Sequence, residues 1–321
     1  MLIASIILLL SFAVLVWGAD KFVYGASGLA KNLGISPLII GLTIVAMGSS
    51  APEIMVSANA ALKGATDTSV GNALGSNITN ILLVLGVTTL VRPLFVSSST
   101  LYREMPILLG FTLLAWWVLA DNYLSLVEGF VLLALFFGFI GYLIFLSKSK
   151  KDGETDLLLA ETESEIPDNL PTSHALFWVV AGLIMLPLSS HFLVDSAVII
   201  AQHFGISELV IGLTIIAIGT SLPELAASVA SVLKGEDDMA IGNIIGSNIF
   251  NILAVLGIGA VINPSVIDPS AASRDIFVMI AATIMLLVMA MSFAQRKRQI
   301  NRIEGAILLS AFIGYQFVLF A

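Results

Sequence analysis

The chain has no cysteine and three histidines among its 321 residues. The missing thiols exclude disulfides, thiolate metal sites and cysteine nucleophiles. Charge is scarce as well: charged residues make up 11% of the chain against 58% hydrophobic ones, and the mean hydropathy is +1.02. A soluble domain of this length needs more charge to cover its surface, so the composition implies an integral membrane protein. No glycine-rich loop ending in Lys-Ser/Thr occurs, which argues against ATP-driven work.

What the chain has is apolar runs. A span needs ~20 mostly apolar residues, and about ten such runs are predicted, at roughly 2–24, 37–62, 69–91, 103–120, 124–147, 174–201, 208–233, 239–262, 275–294 and 302–320. Continuous helical periodicity without ten-residue alternation favours helices over a β-barrel. The opening "MLIASIILLLSFAVLVWGADK" has no basic region before its apolar stretch, so an uncleaved first helix is expected. Of the 14 basic residues, all but Lys63 and Arg274 fall in odd-numbered loops. By the positive-inside rule those loops are cytoplasmic and both termini lie outside. The longest connection, Ser147 to His174, is acidic, contains proline and lacks aromatic residues, as expected of a solvated cytoplasmic linker.

Sliding the sequence by 171 residues aligns Gly41–Pro93 with Gly212–Pro264 without a gap, and 27 of 53 positions are identical. "GLTIVAMGSSAPE" answers "GLTIIAIGTSLPE", and "VGNALGSNITNILLVLG" answers "IGNIIGSNIFNILAVLG". Each half then holds five helices. Because five is odd, the halves run in opposite senses across the membrane. The expected fold is an all-α integral membrane protein of about ten transmembrane helices in two inverted five-helix repeats. The repeats are 1–147 and 174–321, with the acidic linker at 148–173. Inverted halves carrying interrupted helices at matching positions place a binding site near the bilayer midplane and imply alternating access.

The motif residues suit a hard cation. Pro52 and Pro223 each deprive a carbonyl, that of Gly48 or Gly219, of its helical partner. A freed carbonyl in a membrane must find protein, water or an ion. Ser49 and Ser50 precede Glu53 by four and three residues, which puts hydroxyls and carboxylate on one face; Thr220, Ser221 and Glu224 repeat the arrangement. The next helix of each half adds a stripe at spacing four, Asn72, Ser76 and Asn80, then Asn243, Ser247 and Asn251. An all-oxygen set of this kind fits Ca²⁺, which takes 6–8 oxygens at ~2.3–2.6 Å, and two carboxylates match one divalent ion in charge. Two ionised glutamates in low dielectric are costly, so the site is expected to move only when loaded, by Ca²⁺ or by Na⁺ or protons, and exchange follows.

Plainer roles compete at several positions. Gly71, Gly75, Gly242 and Gly246 read as packing glycines, and Asn72, Asn77, Asn243 and Asn248 as either ligands or residues that orient them. Asp20, His191 and Asp195 are expected near helix ends in a solvated or capping role. Glu236-Asp237-Asp238 reads as a solvated turn, and Arg296-Lys297-Arg298 as a topology signal. The intramembrane carboxylates Glu53 and Glu224 are functional candidates by default.

The paired motifs "GSSAPE…GNALGSNITN" and "GTSLPE…GNIIGSNIFN" resemble those of the cation/Ca²⁺ exchanger superfamily, and within it the bacterial sodium/calcium exchanger-like proteins. The resemblance covers nearly the whole chain. It implies an ion site between helices 2, 3, 7 and 8, with helices 1 and 6 sliding to alternate access. It further implies Glu53 and Glu224 as principal Ca²⁺ ligands shared with Na⁺, Ser50 and Ser221 as hydroxyl ligands, and Ser49 and Thr220 as contributors. Ser76 and Ser247, with the carbonyls of Ala46 and Ala217, resemble flanking Na⁺ ligands, and Asn80 and Asn251 take the remaining central positions. Many relatives carry an aspartate at one of those last two positions, and this chain does not. The proton-coupled branch usually has a glutamate after its "GN", also absent here, which favours Na⁺.

The expected function is therefore a secondary antiporter, not an enzyme, exchanging Ca²⁺ for Na⁺ across a bacterial or archaeal cytoplasmic membrane and extruding Ca²⁺. The alternative is Ca²⁺/H⁺ antiport through the same glutamates. An intramembrane hydrolase is disfavoured because no histidine or lysine stands beside Ser50 or Ser221, and the inverted repeat disfavours a passive channel. The expected partners are inorganic cations and the lipid bilayer, with no permanent cofactor, no nucleic acid, no ATP and no required oligomer.

Overall fold

The structure, a computed structural model, describes residues 2–149, 170–204, 217–291 and 298–320. Ten helical segments follow in chain order. The first half holds α1 (Leu2–Leu33), the broken α2 (α2a, Pro37–Ser49, and α2b, Ala51–Leu62) and α3 (Thr66–Val91). It continues with α4 (Met105–Leu119) and α5 (Leu126–Ser149). The second half holds α6 (Thr172–His203) and α7, described as α7a (Ala217–Thr220) and α7b (Leu222–Leu233). It ends with α8 (Asp237–Ile262), α9 (Ala271–Met291) and α10 (Arg302–Phe320). Among the described residues, seven unbroken helices are long and apolar enough to cross a membrane, or eight with the bent α2. The α4 helix and the described part of α7 are shorter. Most of the linker expected at 148–173, together with Arg296 and Lys297, lies outside the described residues.

The expected boundaries fail most clearly at α1, which runs on to Leu33 rather than ending near 24. At 1.5 Å per residue, 32 residues span about 48 Å, well beyond a hydrocarbon core of ~30 Å. Asp20 and Lys21 look like a helix end in the sequence. In the fold they stay inside the helix because both have partners: Asp20 meets Lys234 at 2.5 Å and Lys21 at 3.4 Å, and the Lys21 ammonium lies over the Tyr24 and Trp178 rings. His191 and Asp195 likewise sit in the body of α6, paired with each other at 3.4 Å. None of the three is a cap. The acidic turn is not freely solvated either. Asp237 lies 3.8 Å from Arg92 and accepts the Phe95 N–H, while burial raises the Glu236 carboxyl above its ordinary range, against a hydroxyl contact from Ser27.

The breaks in α2 and α7 fall at the same place in each repeat. Ser50 (φ −86°, ψ 7°) and Ser221 (φ −88°, ψ 4°) leave the helical region, so Pro52 and Pro223 enter the first turn of a new helix, where a missing N–H costs little. The half-helices α2a and α2b meet at 45°. Both α2b and α7b end on Lys-Gly, with Gly64 and Gly235 at φ +76° and +77°, the left-handed C-terminal stop that glycine adopts without a Cβ penalty.

Two short antiparallel clasps tie the halves together. On one face β1 (Leu94–Phe95) pairs with β4 (Gln299–Ile300), and on the other β2 (Tyr123–Leu124) pairs with β3 (Ser265–Val266). Loops 3 and 9 therefore share one face and loops 4 and 8 the opposite one, as ten alternating helices require. The larger core joins α3, α4 and α5 to α8, α9 and α10. A separate core forms where α1 and α6 pack on each other and on α2 and α7b, through Leu15, Phe22, Val179, Val45 and Ala227. The α8 helix is buried almost throughout.

Helix α8 crosses α2a in backbone contact. A Cβ at Gly242 would stand 2.7 Å from the Leu38 carbonyl oxygen, and one at Gly246 would stand 2.7 Å from the Ala46 Cβ and 2.9 Å from the Leu42 Cα. At Gly71 and Gly75, nothing among the described residues lies within 4 Å. Gly242→Ala and Gly246→Ala are expected to cost about 1–3 kcal/mol each as overpacking, read as a lower melting temperature of the detergent-solubilised protein. Wild-type melting in both variants would mean that the two backbones are not in contact.

Candidate cation site

Each broken helix delivers a glutamate one turn after its break, Glu53 in α2b and Glu224 in α7b, and both side chains are wholly buried. They lie within electrostatic reach of each other. The helical spacing pairs Ser50 with Glu53 of its own helix, but the structure sends the hydroxyl across the repeats: Ser50 Oγ donates to Glu224 Oε1 at 2.9 Å. Ser247 Oγ reaches the same oxygen at 3.4 Å, and Ser49 Oγ lies 3.4 Å from Ser247 Oγ. Around Glu53 stand Thr220 and Ser76, yet among the described residues neither of its carboxylate oxygens has a partner in strict hydrogen-bond geometry. The two halves thus interlock, each offering hydroxyls to the other's carboxylate.

Buried polar atoms in proteins are nearly all hydrogen-bonded. Among the described residues the exceptions include both oxygens of Glu53, Oε2 of Glu224, Oγ of Ser221, and the side-chain O and N of both Asn80 and Asn251. Asn80 lies one helical turn beyond Ser76, on the same face. Asn80 and Asn251 each open a π-helical turn, Asn80–Val84 and Asn251–Val255. These turns pack against α7b and α2b respectively, the segments that carry the glutamates. Single π-turns inside α-helices recur at functional sites, and nothing in the residue types marks them. The set is chemically uniform: carboxylate, hydroxyl and amide oxygens with no nitrogen or sulfur ligand, which suits Ca²⁺ or Na⁺.

The remaining candidates divide. The Ala46 carbonyl accepts the Ser50 N–H at 3.0 Å and lies 3.4 Å from Ser49 Oγ, so it borders the site with one bond already made. Ala217 begins α7a, four residues before Ser221. Asn77 turns away and donates to Met279 Sδ at 3.2 Å, and its repeat partner Asn248 is buried without a hydrogen bond. The carbonyl of Gly219 freed by the break accepts Ser190 Oγ of α6 at 2.7 Å. Ser190 was not a candidate from sequence, because the repeat places Ala19 at its counterpart. Ser57 and Ser228, bound by Asn72 and Asn243, were also missed; their only signal is that both repeats carry a serine four residues after the glutamate.

Access to the site is unequal although the halves are alike. A cavity of about 470 Å³ opens between α6 and α2b and reaches Gly219 and Thr220, with Pro52, Val56, Val194 and Val198 on its walls. Their repeat partners at the opposite mouth, Ser49, Pro223, Ala227, Val23 and Ser27, are all buried. There α1 packs along α7b, and Asp20 of α1 meets Lys234 at the end of α7b. The counterparts of that ion pair at the open mouth, His191 and Lys63, are exposed. Among the described residues, the site is open on the face of the termini and closed on the face of the basic loops.

Comparison with known proteins agrees with this architecture. Residues 3–145 and 174–321 match the family described as sodium/calcium exchanger protein. The chain is 59% identical to the putative antiporter CaxA of Alkalimonas amylolytica over the whole of both chains. It is 45% identical to the inner membrane protein YrbG of Escherichia coli strain K12, covering 98% of this chain and 95% of that one. Its fold matches that of the sodium-calcium exchanger NCX_Mj soaked with zero Na⁺ and Ca²⁺ at a TM-score of 0.83 and 32% identity, covering 99% of this chain and 100% of the other. Two inverted halves, a buried glutamate in each and a match over both halves lead to one conclusion: the chain belongs to the sodium/calcium exchanger family of membrane antiporters.

Proposed function

We propose that this protein exchanges Ca²⁺ for Na⁺ by alternating access across a bacterial or archaeal cytoplasmic membrane, and that it extrudes Ca²⁺. The observation that carries the reading is the pair of wholly buried glutamates whose unpartnered oxygens converge with hydroxyl and amide oxygens of both repeats. Glu53, Glu224, Ser50 and Ser221 are assigned to Ca²⁺. Ser49 and Thr220 contribute beside them through backbone or hydroxyl, Ser76, Ser247 and the carbonyls of Ala46 and Ala217 are assigned to flanking Na⁺, and Asn80 and Asn251 close the centre. Removing two carboxylates from water costs several kcal/mol per ion, so the bare site resists occlusion and each load of cation lifts that barrier.

The mobile element is the pair α1 and α6, whose shared core is separate from the one that binds α3–α5 to α8–α10. Sliding this pair can close the mouth at Val194 and open the mouth at Val23 without breaking the larger core. The basic loops set the face of Lys234 in the cytoplasm and the termini outside. Residues 1–147 and 174–321 then act as the two halves, and 148–173 is a cytoplasmic connection.

The deciding experiment is ⁴⁵Ca²⁺ uptake into proteoliposomes preloaded with Na⁺, beside K⁺-loaded and pH-gradient controls. Uptake that needs internal Na⁺ supports the reading, and uptake driven only by a pH gradient replaces it with Ca²⁺/H⁺ antiport. Glu53→Gln and Glu224→Gln are each expected to reduce uptake to background, and normal exchange in either variant overturns the assignment.

Heat stability should respond with opposite signs. Ca²⁺ at about 100-fold its Kd stabilises a folded-state site by about 2.7 kcal/mol, so the wild-type melting temperature rises with Ca²⁺. The Glu53→Gln/Glu224→Gln double variant is expected to melt no lower than wild type without cations and to gain nothing from Ca²⁺. A calcium shift in the double variant would place the ion elsewhere. Because the natural chain has no cysteine, Val194→Cys should react with an impermeant thiol reagent from the outside, while Val23→Cys stays protected from the inside. The reverse pattern would refute the orientation.

A further inference from the structure

Asn72 and Asn243 form the same pair of bonds in both repeats. Asn72 Nδ2 donates to the main-chain oxygen of Glu53 at 3.0 Å and to Ser57 Oγ at 2.9 Å. Asn243 Nδ2 donates to the main-chain oxygen of Glu224 at 3.2 Å and to Ser228 Oγ at 2.9 Å. The amide of α3 or α8 thereby grips α2b or α7b at the glutamate and one turn beyond it.

This grip matters because of the break that precedes each glutamate. With Ser50 and Ser221 out of helical geometry, the direction of α2b is not inherited from α2a, nor that of α7b from α7a. Whatever holds α2b against α3 fixes where Glu53 stands, and the bond that lands on the glutamate's own carbonyl does so most directly. Asn243 has a further partner: its Oδ1 accepts Ser49 Oγ at 3.1 Å. Ser49 in turn lies beside Ser247, which reaches Glu224, so the two repeats are joined through this amide. Unlike Asn80 and Asn251, whose amides have no hydrogen-bond partner among the described residues, the side-chain N–H groups of Asn72 and Asn243 are engaged by main chain and hydroxyl.

We infer that Asn72 and Asn243 are positioning residues that set the separation of the two glutamate carboxylates, and with it the size of cation the site accepts. The inference rests on the reading of Glu53 and Glu224 as the cation ligands. Outer partners that orient metal ligands change metal affinity by about 10–100-fold when removed, whereas amides that merely hold helices together change stability and leave the ion preference alone.

The test measures half-saturating Na⁺, Ca²⁺, Sr²⁺ and Ba²⁺ by thermal shift of purified protein, with Ca²⁺ and Sr²⁺ transport in proteoliposomes. The variants are Asn243→Leu, which keeps roughly the volume and loses the donated bonds without adding charge, Asn72→Leu, and the double Ser57→Ala/Ser228→Ala, which keeps the bond to the glutamate carbonyl. The leucine variants are expected to raise half-saturating Ca²⁺ about tenfold and to bring the Ca²⁺-to-Sr²⁺ affinity ratio towards one. The serine double variant should shift the ratio the same way by about two- to threefold. A lower cation-free melting temperature with an unchanged ratio would overturn the inference and leave the amides as packing. If the leucine variants fail to fold, the serine double variant decides by the same ratio. If wild type is stabilised by some cation other than Ca²⁺, the functional reading falls, and the variants are judged on that cation against its next larger neighbour.

Discussion

Two carboxylates without exposed surface, within reach of each other's field, are the costliest feature of this molecule, and the rest of the structure is arranged around that cost. In water each would be solvated freely; inside the helix bundle each retains an expensive charge unless a cation shares it. The breaks after Ser50 and Ser221 bring the first turns of α2b and α7b, with their inward N–H ends, to the carboxylates they carry. Ser50 of the other repeat and Ser247 of its own satisfy one oxygen of Glu224, whereas Glu53 has Thr220 and Ser76 nearby but, among the described residues, no partner in strict hydrogen-bond geometry. Two like-charged groups so unequally satisfied do not make a structural pair, which is what the proposed cation role rests on.

Symmetry explains how such a site can serve two sides. The halves share a sequence pattern at an offset of 171 residues, so each surface at one mouth has a counterpart at the other, and the two can be compared within one molecule. At the mouth on the face of the termini the counterparts are spread around a cavity; at the other they are packed and buried. Since similar residues adopt both arrangements, neither is dictated by local sequence, and the choice lies in where α1 and α6 stand. The ion pair between Asp20 and Lys234 belongs to the closed arrangement. It joins α1 to α7b, and its counterparts at the open mouth are a histidine and a lysine, which cannot attract each other in the same way.

Much of this architecture was legible in the residues because it depends on solvent and periodicity. Apolar runs of spanning length, an odd number of them per repeat and a proline just before each buried glutamate fix the inverted halves and the central motif. What was not legible depends on tertiary partners. Asp20 and Lys21 stood near the expected end of the first helix at 24, but Lys234 and the rings of Tyr24 and Trp178 hold them within a helix that runs on to Leu33. Asp237 read as part of a solvated turn until Arg92 and the Phe95 amide were placed beside it. Ser50 was assigned to its own glutamate by helical spacing, which cannot foresee that a facing repeat brings Glu224 closer. The π-turns at Asn80 and Asn251 leave no mark in composition, yet each begins at a buried amide with no hydrogen-bond partner among the described residues.

Those two amides also bound the charge the site can carry. With asparagine rather than aspartate at both positions, the only formal charges at the centre are those of Glu53 and Glu224, and every other candidate ligand is neutral. One divalent cation or two monovalent ones bring such a centre to neutrality, and a third monovalent ion leaves it positive in a region where an uncompensated charge is expensive. A neutral amide still supplies an oxygen, so the coordination shell is kept while the demand for charge falls by one. On the proposed reading, the physical difference between this site and one with a central aspartate therefore lies less in which ions fit than in how many must be present before the helices can close over them.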